Sequence, residues 1–385
     1  MLYKFLKLQF HRCYVNKKRP LQPERTIIMN TTGPKPGDIL DLSRAQLAAW
    51  LEEHGIAPYR AAQILRWIYL RQKDNFDEMT DLSKEIRAAL PQHFTLRRLA
   101  RRAVETSADG TCKYLFGLTD GNSVESVLIP ERDHSTLCVS SQVGCAQDCR
   151  FCLTAKGRLI RNLTQGEILA QVRDVRHDLP EPGRLSNLVF MGMGEPLANF
   201  SNLMGALEVI TDADAGLGFS TRHVTVSTAG LVPKMAEFGR RTKVNIAVSL
   251  NAVDSATRSR LMPINRKYPL EELLEACRNY PLAAGRRITF EYILIQGVND
   301  SPQDALKLAR LLRGIRCKVN LIPFNPHAGS EFERPAEEAI LAFREVLLQK
   351  HFTVIIRQSK GGDISAACGQ LRARSIESST LDAES

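Results

Sequence analysis

Short buried strands that alternate with helices fill the chain from Thr136 onward, and this pattern constrains the fold more than any other feature. Two of the helical segments carry start signals: the sequence at Thr164 forms a capping box, and a proline follows Ser301 in the first helical turn. The strand-like runs are TLCVSS, NLVFM, HVTVS, KVNIAVSL, RITFEYILI, KVNLIPF and FTVIIR. Such a series predicts an α/β fold in which a parallel sheet forms a partial barrel of six strand–helix units with a closing strand.

The part of the chain that precedes this series has a different pattern. A helix is predicted from a Ser43 cap to Gly55, and a second helical segment begins near Tyr59. The runs KYLFGL and SVESVLIP, joined by the turn TDGN, predict a hairpin. The predicted division begins with a basic disordered tail (1–37) and a helical RNA-binding accessory domain (38–100). A β-hairpin extension (101–135), the partial barrel (136–373) and a second disordered tail (374–385) follow.

Composition and charge limit where a chain like this works. It has 385 residues, 24% of them charged, and no apolar run approaches the roughly 18 residues of a membrane span. Lysines and arginines interrupt the opening segment, which excludes a secretory signal, so we expect a cytoplasmic protein. We also expect a monomer that does not contact a membrane. Most of the net charge of +10 lies in the first 28 residues. They are either a mis-assigned start before Met29 or a basic arm that contacts RNA.

Three cysteines, Cys145, Cys149 and Cys152, directly follow the first barrel strand, where such folds carry their chemistry. A structural zinc site needs four ligands, and the chain has no second C-x2-C pair, although a distant histidine could complete one. Three thiolates on a four-iron cube would instead leave one iron without a protein ligand. That iron could hold a substrate.

The spacing C-x3-C-x2-C, with Phe151 before the last cysteine, resembles the cluster loop of the radical S-adenosylmethionine (SAM) enzymes. The resemblance implies a barrel of the radical SAM type, one 4Fe–4S cluster held by these cysteines, and SAM bound at the open iron. The sequence MGMGEPLAN supports it, because Gly192 and Gly194 after a strand allow close backbone approach and Glu195 can accept from an ammonium group.

Further motifs resemble the RlmN-type RNA methyltransferases: CVSSQVGCAQDCRFC, RNLTQGEI, MGMGEPLAN, VTVSTAG, LMPIN, GVND, LIPFNP and DISAACGQL. The resemblance implies methylation of carbon 2 of an adenine in the peptidyl transferase region of 23S rRNA and of the adenine next to the anticodon in tRNAs. It also implies two SAM molecules per turnover and an electron donor such as flavodoxin or ferredoxin. A sister activity at carbon 8 is the nearest alternative, and GEP and STAG match the carbon 2 branch better.

The same resemblance implies three catalytic roles. Cys368 would take a methyl group from one SAM and become S-methylcysteine, and a radical derived from a second SAM would activate that methyl for addition to adenine. Cys138 would release the product by forming a disulfide with Cys368, and Glu125 would accept a proton. Without the resemblance, Glu125 could equally be a charged residue on an edge strand. The two cysteines could equally be small buried residues of the core.

The resemblance also assigns SAM contacts, at Gly194, Glu195, Ser227, Ser249, Leu250, Asn251 and Asn325. Two positions depart from the family pattern: Ala155 stands where glycine is expected, and Asn251 where many relatives carry histidine. The accessory domain carries a basic stripe formed by Arg60, Arg66, Arg71 and Lys73. This stripe is either an RNA-facing surface or a solvated helix face.

Two other classes of protein remain open. A radical enzyme acting on proteins or small molecules would have no use for the pair Cys138 and Cys368 or for an RNA-binding domain. A zinc-bound RNA-binding protein without catalytic activity would lack a four-iron chromophore and would not cleave SAM.

Overall fold

A computed structural model describes residues 37–327 and 329–371. Apart from Gly37, the two predicted tails lie outside the described residues. No helix in the described part of the chain is long and apolar enough to cross a membrane.

The elements follow the order that the sequence pattern predicts. They are β1 (Gly37–Asp38), α1 (Arg44–Glu53), α2 (Arg60–Tyr69), α3 (Lys84–His93), β2 (Phe94–Thr95), β3 (Ala100–Thr106), β4 (Cys112–Gly117), β5 (Ser123–Pro130), β6 (Ser135–Cys138), β7 (Gln142–Gly144), α4 (Leu153–Lys156), β8 (Leu159–Asn162), α5 (Gln165–Asp178), β9 (Leu185–Phe190), α6 (Phe200–Thr211), β10 (Val224–Thr228), α7 (Val232–Arg241), β11 (Asn245–Ser249), α8 (Ser255–Leu261), α9 (Leu270–Arg278), β12 (Ile288–Leu294), α10 (Pro302–Leu311), β13 (Cys317–Pro323), α11 (Glu337–Gln349) and β14 (Val354–Ile356). From β9 to β14 helices and strands alternate, except that two helices, α8 and α9, follow β11.

The partial barrel is confirmed. Strands β6, β9, β10, β11, β12, β13 and β14 lie side by side in that order and are all parallel. Each of the seven predicted runs forms one of these strands, and in the described chain the sheet has two free ends at β14 and β3. Their buried apolar residues form the core, and their carboxyl ends meet at one rim of the sheet.

The predicted hairpin extends this sheet. Strands β4 and β5 pair antiparallel as predicted, β3 adds to the outer side of β4, and β5 pairs antiparallel with β6. Strand β5 therefore has neighbours on both sides, which rules out the interpretation of Glu125 as a charge on an edge strand.

The predicted helix starts are confirmed as well. The side chains of Thr164 and Glu167 form the capping box of α5, and Ser301 caps α10 with Pro302 in its first turn. Ser43 caps α1 in the same way. These polar caps satisfy backbone groups that would otherwise lack partners, so the sequence fixes where each helix begins.

The accessory helices pack on the barrel through α5. A carboxylate oxygen of Asp41 accepts a 2.7 Å hydrogen bond from the backbone N–H of Gly166, and the amide of Gln165 donates to the carbonyl of Leu40 over 3.0 Å. Buried residues of both parts belong to one continuous hydrophobic cluster. The accessory helices are thereby fixed in orientation relative to the strand ends of the barrel.

Candidate active site

The loop that carries the three cysteines is pinned at its base by a short hairpin. Strand β7 pairs antiparallel with β8, and the N–H of Cys145 donates to the carbonyl of Arg158 over 3.1 Å. Gly144, the last residue of β7, has a φ of +77°, and a Cβ atom there would lie 1.7 Å from that carbonyl oxygen. Since no other residue fits this position, Gly144 fixes the path of the chain into the loop.

The thiols of this loop are close enough to influence one another. Burial raises the pKa of Cys149 well above its usual range, and the neighbouring Cys152 and Cys145 add to the rise. Burial likewise raises the pKa of Cys145 to about 12, and Cys152 and Glu195 contribute in the same direction. The loop therefore gathers three half-buried thiols beside a carboxylate.

This arrangement suits a four-iron cluster better than a single metal ion. In the described ranges, no three His, Cys, Asp or Glu side chains converge closely enough to hold a metal ion. A structural zinc site needs four protein ligands, whereas a four-iron cube binds each thiolate at a different iron and can leave one iron without a protein ligand. Iron would also deprotonate thiols that burial keeps neutral. Cys145, Cys149 and Cys152 would hold the cube and leave its fourth iron free.

Glu195 lies buried beside this loop and is held by backbone groups. Its two carboxylate oxygens accept from the N–H groups of Ala229, over 2.7 Å, and Leu197, over 3.1 Å. Burial raises the pKa of Glu195 to about 7. Gly194 before it has a φ of +103°, and a Cβ there would come within 2.6 Å of Gln142. A close backbone approach thus places a fixed carboxylate next to the cluster thiols.

The predicted SAM contacts on β10 and β11 lie at adjacent strand ends. Ser227 is the penultimate residue of β10, and Ser249 ends β11. Arg258 of α8 ties these ends together, because its guanidinium donates to the carbonyls of Leu250 over 3.2 Å and Ala229 over 2.8 Å. Burial lowers the pKa of Arg258 to about 10, so the group stays charged at neutral pH. One buried cation thus organises both strand ends.

The two departures from the family pattern have local explanations. Ala155 is buried in helix α4 and does not have a positive φ, so its position does not require glycine. Asn251 is buried with a φ of +59°, and its side-chain oxygen accepts from the N–H of Ile293 over 2.8 Å. Its amide nitrogen lies 3.2 Å from the sulfur of Met262. The Asn251 side chain therefore joins the ends of β11 and β12 to each other.

The segment after β14 brings Cys368 to the cysteine loop. The N–H of Leu153 donates to the carbonyl of Gly369 over 2.7 Å, and the hydroxyl of Thr154 donates to the carbonyl of Leu371 over 2.6 Å. The amide of Asn325 donates to the carbonyl of Cys368 over 3.3 Å. We name residues 361–371 the Cys368 loop. Its far end is thus bonded to helix α4 and to the end of β13.

The Cys368 thiol lies near both Cys138 and the cluster loop. Burial raises its pKa, Arg357 opposes the rise, and Cys152 is among the groups that add to it. Burial raises the pKa of Cys138 to about 12, and the neighbouring Cys368 raises it further. Cys368 nevertheless remains exposed to solvent. The structure therefore brings the thiol of Cys368 to those of Cys138 and Cys152, more than 200 residues earlier in the chain.

Glu125 lies on the strand next to Cys138. Its neighbour Val127 pairs directly with Cys138 across β5 and β6, and only 5% of the Glu125 surface is exposed. The ammonium group of Lys113, on β4, lies 4.0 Å from the carboxylate of Glu125. A buried carboxylate is thus available on the strand that borders the paired thiols.

Sequence reasoning missed three cations in this region: Lys113, Arg258 and Arg357. No local pattern marks them, because Lys113 lies in an ordinary strand, Arg258 is one of two arginines in α8 and Arg357 follows β14. Their roles arise from tertiary contacts that bring distant carbonyls, thiols and carboxylates to them.

The predicted basic stripe of the accessory domain is engaged within the protein. Arg66 forms an ion pair with Asp214, and Lys73 lies 2.6 Å from a carboxylate oxygen of Glu78. The guanidinium of Arg71 stacks 3.9 Å above the ring of Trp67. Arg60 donates to Gln63 and to the backbone of Asp81. These contacts favour the interpretation of the stripe as a helix face rather than an RNA surface.

Models of two protein families match the chain. The N-terminal domain of ribosomal RNA large subunit methyltransferases matches residues 37–96, and the radical SAM superfamily matches residues 139–309. A crystal structure of a radical SAM methyltransferase from Sphaerobacter thermophilus superimposes with a TM-score of 0.83 at 46% identity, covering 88% of this chain and all of that one. The fold, the cysteine loop and these matches define a radical SAM enzyme.

Two similar proteins narrow the class further, and both bear the name dual-specificity RNA methyltransferase RlmN. The protein from Desulfosudis oleivorans is 57% identical over 90% of this chain and 93% of its own length. The protein from Geobacter sulfurreducens is 56% identical over 88% of this chain and 92% of its own length. The chain belongs to the RlmN family of radical SAM RNA methyltransferases, and its cofactors are a 4Fe–4S cluster and SAM.

Proposed function

We propose that this enzyme methylates carbon 2 of adenine, in the peptidyl transferase region of 23S rRNA and next to the anticodon of tRNAs, through S-methylcysteine at Cys368. Carbon 2 lies between two ring nitrogens and is electron-poor, so it does not attack the methyl group of SAM as a nucleophile would. When bound, the cluster and SAM supply a one-electron cleavage that yields a carbon radical. The target adenine must leave its stack to reach Cys368, which favours loop or single-stranded RNA.

The position of Cys368 is the observation that carries this proposal. The residue after it is bonded to helix α4, directly beyond Cys152, while its thiol is near that of Cys138. In the proposed reaction the Cys368 sulfur, which loses its thiol proton, attacks the methyl group of one SAM, and S-adenosylhomocysteine leaves. A thiol that also meets the radical source must lie beside the cluster loop and remain accessible, as Cys368 does.

Cys138 would then release the product. Once the adduct has lost its carbon 2 proton and one electron, which would return to the cluster, the Cys138 thiolate attacks the sulfur of Cys368 and forms a disulfide. The bond between Cys368 and the transferred carbon breaks, and the carbon keeps the electron pair and takes up a proton to become the methyl group. Two electrons must afterwards reduce that disulfide before the next turnover. Burial raises the pKa of both thiols, and the nearby Arg357 opposes that rise. Arg357 therefore favours the thiolate form that must attack.

Glu125 would accept the proton that carbon 2 loses. Two observations support this role: the carboxylate is buried on a strand that borders Cys138, and a buried ammonium group lies 4.0 Å away. A proton acceptor must lie within reach of the reacting carbon, and Glu125 meets that condition if the adenine stacks between Cys368 and β5.

The proposed SAM site is the rim formed by the barrel strand ends beside the cysteine loop. Glu195 and the backbone at Gly194 would receive the amino group of SAM. Ser227, Ser249 and Leu250 would contact the rest of the molecule from the ends of β10 and β11. Asn251 and Asn325 would contact SAM as well, and their side chains also hold the strand end and the Cys368 loop in place through bonds within the protein.

The remaining parts of the proposal concern partners and location. We propose that the enzyme works as a monomer in the cytoplasm and receives electrons from a donor such as flavodoxin or ferredoxin. The cysteine content supports a reducing compartment, because the chain carries an odd number of cysteines, nine, and the disulfide that Cys138 and Cys368 form in each turnover must be reduced again.

The experiment is anaerobic turnover with a Cys138→Ala variant. We expect a covalent protein–RNA adduct through Cys368 to accumulate, because the tether forms but is not resolved, and mass spectrometry of digested adduct would locate it. Cys277→Ala, which alters a buried core cysteine, is the matched control and should give free 2-methyladenosine. No adduct in any variant, or 8-methyladenosine as the product, would contradict the proposal.

A further inference from the structure

A buried lysine joins two parts of the proposed site that no sequence motif connects. Lys113 lies on β4, and its side chain is only 9% exposed. Since a buried ammonium group is costly unless it is paired, its partners indicate what it does. They come from β3, from β5 and from the Cys368 loop.

The ammonium group of Lys113 has one short contact to each of two neighbours and a longer one to Glu125. It donates to the carbonyl oxygen of Ile364 over 2.5 Å and lies 3.1 Å from a carboxylate oxygen of Glu105. The carboxylate of Glu125 is 4.0 Å away, within the range of charge–charge attraction but beyond a hydrogen bond. Glu105 is half exposed, whereas Glu125 is buried.

The turn between β3 and β4 binds the same loop a second time. The hydroxyl of Ser107 donates to Asp363 over 2.5 Å, and the N–H of Gly361 donates to Asp109 over 3.0 Å. Gly361 has a φ of +62°, and a Cβ there would lie 2.9 Å from the side chain of Thr111. The hairpin extension therefore holds the start of the Cys368 loop, independently of Lys113.

We propose that Lys113 is a positioning residue that fixes the carboxylate of Glu125 relative to the loop carrying Cys368. This inference rests on the proposed function, in which Glu125 accepts the carbon 2 proton of an RNA tethered to Cys368. A proton acceptor must be held within reach of the reacting carbon, and a buried ammonium group 4.0 Å away is a fixed partner that limits where the Glu125 carboxylate can lie. Because the same ammonium group bonds to Ile364, base and tether are held by one side chain.

The test separates formation of the adduct from its resolution. Lys113→Met, Lys113→Arg and Glu105→Gln would be followed in anaerobic single turnovers, with mass spectrometry of S-methylated Cys368 and the time course of the covalent adduct. For Lys113→Met we expect near-normal S-methylation, because the turn at Ser107 and Asp109 still holds the loop. We expect the adduct to resolve about 10- to 100-fold more slowly, as for an impaired general base.

The other variants are matched controls. Lys113→Arg should restore most of the resolution rate, and Glu105→Gln, which removes only the exposed partner, should resolve the adduct at the wild-type rate. A wild-type rate in Lys113→Met, or a loss of S-methylation in that variant, would overturn the inference. If Lys113→Met does not fold, Lys113→Gln replaces it under the same criteria. A wild-type enzyme that forms neither S-methylcysteine nor adduct would instead contradict the proposed function.

Discussion

The backbone N–H of Leu153 donates a 2.7 Å hydrogen bond to the carbonyl of Gly369, so the residue after Cys152 is bonded to the residue after Cys368. Backbone contacts do not depend on side-chain identity and leave little freedom in direction. This bond therefore sets how far the Cys368 thiol can lie from the cluster loop. Variants that disturb it should change the chemistry of Cys368 before they change the fold.

Gly369→Ala is such a variant. Gly369 has a φ of +84°, and a Cβ there would lie 3.3 Å from the carbonyl of Phe151. The left-handed conformation costs alanine about 1–2 kcal/mol. We expect S-methylation of Cys368 to fall roughly five- to thirtyfold, which intact-protein mass spectrometry would measure. Gly362→Ala in the same loop, where a Cβ meets nothing within 4 Å, is the control, and equal S-methylation in both variants would refute the prediction.

Arg258→Met should destabilise the protein. The fully buried guanidinium of Arg258 donates hydrogen bonds to the carbonyls of Ala229, Ser249 and Leu250 and to the side chain of Asn265. Methionine cannot donate, so these four acceptors lose that partner. We expect the free energy of unfolding to fall by about 3 kcal/mol or more. Urea denaturation would measure it.

The neighbouring Arg260 provides the control for that measurement. It is exposed on the same short helix, so Arg260→Met should change the free energy of unfolding by no more than about 0.5 kcal/mol. If the two variants prove equally stable, the bonds of Arg258 do not hold the strand ends.

Asp109 should make the stability of the loop contacts depend on pH. Burial alone would raise its pKa, but hydrogen bonds from Thr111, from the backbone of Gly361 and from Ser107 hold it at about 2. Because the folded pKa lies below the unfolded value of about 4, the stabilisation is complete above pH 4 and is lost as pH falls toward 2. The difference in unfolding free energy between wild type and Asp109→Asn should therefore shrink from pH 5 to pH 3. A constant difference over that range would disprove the assignment.

The sequence allowed prediction of features that local patterns determine. Strand–helix alternation fixed the barrel, and the spacing of Cys145, Cys149 and Cys152 marked the cluster loop, because both depend on neighbouring residues. The pairing of Cys138 with Cys368 came from family resemblance, since no spacing rule connects two thiols so far apart. Lys113 and Arg258 escaped prediction because their burial and partners exist only after distant strands assemble.

For the accessory domain, an experiment can distinguish the structural role that the contacts of Arg66 indicate from the RNA-binding role that its place in the basic stripe suggests. Arg66 belongs to the basic stripe of that domain, yet its guanidinium is bonded to Asp214 in the barrel part of the chain. If Arg66 is structural, Arg66→Gln should leave the salt dependence of RNA binding unchanged. A phosphate contact would instead lower the slope of log K against log salt by about 0.7 to 0.9. Titrations of a tRNA anticodon stem–loop at several salt concentrations would decide, and a reduced slope would make Arg66 part of the RNA surface.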